Sequence, residues 1–115
     1  MKEKILNNKK MNEILSIIER EFRNNYESKI RKIILYGSYA RGDYDSESDI
    51  DILIITQNGD LKELHNTRTE AAHQILLDFE ILVSIIFVEE SHYRDWLETI
   101  PFYQSVGNEG IPIYG

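Results

Sequence analysis

The chain has 115 residues, 42% of them hydrophobic and 29% charged, with a net charge of −7 and no cysteine. That length and apolar content suit one domain spanning 1–115 with a buried core and argue against global disorder, while the missing cysteines exclude disulfides and thiolate metal sites and point to a reducing cytoplasm. The acidic balance argues against extended nucleic-acid binding, which needs Lys and Arg against phosphates; no stretch approaches the roughly 20 apolar residues of a membrane span, and Met1 to Asn8 lacks the apolar run of a signal peptide.

Met11, Ile14, Leu15, Ile18 and Phe22 recur at helical spacing, so the first element is an amphipathic helix over roughly 8–27. Ile30 to Tyr36 reads as a strand centred on Ile33, Ile34 and Leu35. Residues 37–48, rich in Gly, Ser and Asp, read as a loop with one helical turn at Ser38–Arg41. Ile50 to Thr56 is a second strand, apolar almost throughout, as expected when both faces are covered. Gln57-Asn58-Gly59-Asp60 signals a turn. Leu61, Leu64, Ala71, Ala72, Ile75 and Leu76 mark a second long helix, and Phe79 to Val88 a third strand. Glu90 to Thr99 reads as a short helix containing Trp96; Pro101 ends it and can open another. Ile111 to Gly115 is an apolar tail expected to dock as an edge strand, where Pro112 is tolerated. This alternation implies an α/β (α+β) fold: a small mixed sheet flanked by helices.

The chemistry concentrates between the first two strands. Asp49 and Asp51 lie two apart at the start of a strand, so both side chains share a face, roughly 6.5–7 Å apart along the backbone. At an effective dielectric near 20, two like charges at that spacing repel by about 2 kcal/mol. A divalent cation such as Mg²⁺, which takes hard oxygen ligands and keeps room for water and phosphates, repays that repulsion. Upstream, Gly37 permits a close approach of backbone to ligand. Ser38 follows at a helix start, where its hydroxyl and free N–H groups suit a phosphate. Arg41 can add a charge-assisted contact to phosphate, or form a salt bridge with Asp43 or Asp45. The alternating acids from Asp43 onward do not make a calcium loop, because Ser48 and Ile54 stand where that loop needs Gly and Glu. Asp43, Asp45 and Glu47 read as solvated loop residues. His65, His73 and His92 have no metal-ligand spacing, and Trp96, Phe102 and Tyr103 read as core or interface aromatics.

The combination of Gly37-Ser38, Ala40-Arg41-Gly42 and Ser48-Asp49-Ile50-Asp51-Ile52-Leu53 resembles the DNA polymerase beta-like nucleotidyltransferase superfamily, and the chain's size makes it similar to a minimal nucleotidyltransferase. The resemblance implies the nucleotidyltransferase fold. It implies that Asp49 and Asp51 bind Mg²⁺ and that Gly37 and Ser38, supported by Arg41, hold the phosphates of ATP. It also implies a third carboxylate on a neighbouring strand, for which Glu80, or else Asp78, is the candidate. The implied reaction is Mg²⁺-dependent transfer of AMP from ATP to a hydroxyl. No length remains for an acceptor-recognising domain, so a partner or a second copy supplies the acceptor. Minimal enzymes of this kind are commonly antitoxins that adenylylate a HEPN toxin, which makes a HEPN-type protein the expected partner. The alternatives are a non-catalytic module that neutralises its partner by contact, and an aminoglycoside-type adenylyltransferase.

Overall fold

In the computed structural model, which describes residues 8–59 and 61–115, Asn8 opens the first helix: its Oδ1 accepts the Met11 N–H at 3.0 Å. The segment Met1 to Asn7, where no signal sequence is expected, and Asp60, the last residue of the expected turn, lie outside the described residues. Helix α1 (Lys9–Tyr26) buries Met11, Ile14, Leu15, Ile18 and Phe22, the stripe its periodicity marks. A 3-10 turn at Glu27–Lys29 leads into β1 (Ile30–Tyr36). Then come the short helix α2 (Ser38–Arg41), β2 (Ile50–Thr56), α3 (Lys62–Phe79), β3 (Val83–Glu89), α4 (Glu90–Trp96), α5 (Pro101–Glu109) and β4 (Ile111–Tyr114). This is the mixed, helix-flanked sheet that the alternation of elements implies.

The four strands are ordered β3-β2-β1-β4. β1 runs antiparallel to both β2 and β4, whereas β2 and β3 are parallel. A parallel pair needs a crossover, and α3 supplies it. One face of the sheet, with Ile33, Leu35, Ile50, Ile52, Ile54 and Ile85, packs on α1 and α3 in the main core. The other face holds Ile34, Leu53 and Ile55 under Val106 of α5 and Tyr93 of α4. β2 is therefore buried on both sides, which accounts for its unbroken apolar run.

The third strand is the point of difference from expectation. The helix continues through Phe79, and β3 begins at Val83, not Phe79. Glu80 closes α3 as a left-handed cap (φ 56°), with its N–H on the Leu76 carbonyl at 2.9 Å. Phe79 and Ile81 both pack against the main core, so an apolar run that reads as strand is spent on ending one helix and entering the next element. The Glu90 helix also stops at Trp96, three residues early, and Pro101 begins a nine-residue helix at its favoured first position.

Candidate active site

The antiparallel register of β1 and β2 sets Tyr36 opposite Asp51, so the turn that follows β1 meets the head of β2. Gly37 adopts φ 78°, ψ −157°, a backbone region that side chains avoid. A Cβ at Gly37 would collide with Oδ2 of Asp51, and it would lie 3.2 Å from that residue's Cγ. Glycine is thus doubly required: for the turn, and so that the carboxylate can press against its backbone. Ser38 starts α2, whose single turn is held by the Arg41 N–H on the Gly37 carbonyl at 3.0 Å and the Gly42 N–H on the Ser38 carbonyl at 2.9 Å. Gly42 caps it in the left-handed region. Buried Tyr39 and Ala40 anchor this turn to the core, with Tyr39 stacked on Tyr44 at 4.2 Å between ring centres.

The acidic loop beyond Gly42 is held by its own side chains. Asp45 Oδ1 accepts the Glu47 N–H at 2.8 Å, and the Ser48 hydroxyl oxygen accepts the Asp45 N–H at 3.0 Å. Asp43 and Glu47 are exposed. Asp49 follows, exposed, one residue before β2. The Ile50 N–H donates to the Leu82 carbonyl at 2.9 Å, tying this point to the entry of β3. Asp51 is half-buried. Its carboxyl is pushed above the ordinary 3.8, first by burial and then by the charge of Asp49, against a smaller pull from Arg41. Burial and the nearby Asp51 likewise keep the Tyr36 hydroxyl protonated to higher pH than usual.

Asp51, Gly37, Ser38 and Arg41 line one cleft of about 420 Å³, closed on the far side by Phe102 and Glu109 of α5. Arg41 spans its mouth: Nε donates to Asp43 at 3.2 Å and Nη1 to Glu109 at 3.3 Å. Of the two salt bridges the sequence left open to Arg41, with Asp43 or Asp45, the one with Asp43 is present, with a second partner 68 residues away. Tyr36 and Phe102 meet edge to face at 5.3 Å. A larger hollow of about 780 Å³ lies between α1 and Phe79, but it holds neither the paired aspartates nor the glycine turn. Volume alone does not mark the site.

Glu80 is not brought to the pair. It caps α3 outside the strand, and Asp78 lies exposed on the helix before it. The β3 residue beside Asp51 is Ser84. Among the described residues no three acid or imidazole side chains gather as a metal cage. What does fit a divalent cation is the pair itself: hard oxygen donors, one of them half-buried against a like charge that a cation would relieve. With two protein carboxylates, a divalent cation held here would leave room for water and substrate phosphate as further ligands. Sequence reasoning missed Tyr36, Phe102 and Glu109 as cleft residues. Only the Pro101 helix start hinted that an element follows there.

Comparison with known proteins gives the family and the fold. Residues 15–103 match the nucleotidyltransferase domain family. Two proteins of Methanocaldococcus jannaschii, each named "putative protein adenylyltransferase", are 32% identical over 101 residues (88% of this chain, 96% of the relative) and 36% identical over 106 residues (90% and 100%). Among solved structures, a toxin-antitoxin complex with AMP-PNP is similar at TM-score 0.60 and 24% identity, covering 88% of this chain and 73% of that one. A complex of tri-AMPylated Shewanella oneidensis HEPN toxin with its MNT antitoxin is similar at TM-score 0.54 and 21% identity, covering 90% and 71%. Those two likenesses establish the fold. Residues 15–103 and both relatives together establish that the chain belongs to the nucleotidyltransferase domain family, as an enzyme of that class.

Proposed function

We propose that this nucleotidyltransferase transfers AMP from ATP to a hydroxyl of a partner protein, with Mg²⁺ held by Asp49 and Asp51. The observation that carries the reading is the Asp51 carboxylate seated against the Gly37 backbone, which supports a metal-binding role for that acid beside a turn suited to phosphate. A bound Mg²⁺ would neutralise the triphosphate and polarise its α-phosphorus. The chain's own part is positional. Gly37 and Ser38 orient the phosphates, Arg41 adds positive charge at the mouth, and α5 forms the facing wall. The acceptor oxygen bonds to the α-phosphorus as the bond to pyrophosphate breaks, pyrophosphate leaves, and the hydroxyl proton passes to solvent water.

The names of the two M. jannaschii relatives support a protein acceptor. The AMP-PNP complex and the AMPylated HEPN toxin among the structural neighbours support ATP and a HEPN-type partner. The test is intact-mass spectrometry of a co-expressed HEPN-type protein after incubation with the chain, ATP and Mg²⁺. The partner should gain mass in steps of AMP, and Asp49→Asn plus Asp51→Asn should abolish the gain. An unchanged partner mass with the unaltered chain refutes the reading. Ser84 beside Asp51, in place of a third acid, favours a second reading in which contact alone neutralises the partner. Protection of cells by the double variant would decide for it.

A further inference from the structure

Helix α5 lays one face along the cleft. Phe102, Ser105, Val106 and Glu109 recur at helical spacing, and all four line it. Two contacts fix which end of the helix meets which part of the site. At the C-terminal end, Glu109 accepts a hydrogen bond from Arg41 Nη1 at 3.3 Å. At the N-terminal end, Phe102 meets Tyr36 at 5.3 Å between ring centres, and Tyr36 stands opposite Asp51 in the strand register. The residues from Phe102 to Glu109 advance roughly 10 Å along the helix axis. The cleft thus has a charged end at Arg41 and an aromatic end at Phe102. The chain from Tyr36 through Gly37 and Ser38 to Arg41 runs from the second to the first.

Charge orders a nucleoside triphosphate in such a cleft. On the reading above, its α-phosphate lies at Asp51, and the β- and γ-phosphates follow Ser38 toward Arg41. The nucleoside leaves the α-phosphate in the other direction, toward Phe102. That side chain suits a base. It is 38% exposed although it lines a cleft of about 420 Å³, within the usual range of small-ligand sites. Its ring stands at 80° to Tyr36 and at 50° to Tyr103, so neither neighbour stacks on it in parallel. A flat base would take that place and remove apolar area from water.

We propose that Phe102 is the base platform of the nucleotide site: the adenine ring of ATP stacks on its phenyl ring while the triphosphate lies toward Ser38 and Arg41. The proposal rests on the ATP reading above. Calorimetry with Mg²⁺ compares ATP with inorganic tripolyphosphate, which keeps the phosphates and lacks the base, on the parent chain, Phe102→Ala and Phe102→Trp. Circular dichroism melts first verify that both variants fold, as an exposed position allows. The parent should bind ATP about tenfold or more tighter than tripolyphosphate. Phe102→Ala should lose that advantage while keeping its affinity for tripolyphosphate, and Phe102→Trp should retain it. An advantage for ATP that survives in Phe102→Ala puts the base elsewhere and overturns the proposal. An equal loss for both ligands does so too, because it makes Phe102 a purely structural wall. Tripolyphosphate binding with no preference for ATP in the parent overturns the platform alone, whereas binding of neither ligand sinks the catalytic reading along with it.

Discussion

Asp51 sits where stability and function pull apart. Its carboxyl titrates above the ordinary 3.8 because burial and Asp49 outweigh Arg41. The folded chain therefore holds that proton to higher pH than the unfolded chain does, and stability falls as pH rises through the shifted value. Asp51→Asn removes the penalty. The variant should melt above the parent at pH 7, and the gap should close below roughly pH 4, where the unfolded carboxyl also keeps its proton. The same variant should show no ATP binding with Mg²⁺ by calorimetry. Gly37 is the steric counterpart: a methyl there meets both an unfavourable φ and the Asp51 carboxylate. Gly37→Ala should cost more than about 1 kcal/mol in a denaturant melt and abolish AMP transfer. The positions of both residues were legible in the sequence because they are local, a turn next to a strand. The position of Glu80 was not, because a strand that starts four residues later than its apolar run suggests leaves that residue on a helix cap.

The end of α3 offers a direct test of that shift. Glu80 pays for a left-handed backbone that glycine adopts freely. Glu80→Gly should stabilise the chain by up to about 1 kcal/mol and leave AMP transfer unchanged. Loss of transfer would restore Glu80 as a ligand. At the other wall of the cleft, α5 sends Glu109 to hold Arg41. Glu109→Gln removes one partner of Arg41 and one negative charge from the cleft. Calorimetry should then show ATP binding tightened roughly threefold, the size of one partly exposed charge contact. Pro101 made the start of α5 readable, but the pairing of residues 41 and 109 depends on where β1 and α5 cross.

For the molecule as a whole, ligand and fold are linked by mass action. ATP at a hundredfold excess over its Kd should stabilise the chain by about 2.7 kcal/mol. The rise in Tm should require Mg²⁺ and vanish with a chelator. An equal rise without the metal would mean that ATP binds elsewhere than at the aspartate pair. No helix among the described residues is long and apolar enough to cross a membrane.

By itself the sequence determined the α1 stripe, the doubly buried β2, and the placing of Gly37, Ser38, Asp49 and Asp51 on a turn and a strand head, because each follows from periodicity or spacing within a few residues. Tertiary structure alone decided that Ser84 flanks Asp51, that Glu109 anchors Arg41, and that Phe102 lines the same cleft. Those outcomes depend on strand register and helix crossing, which contacts between distant segments set.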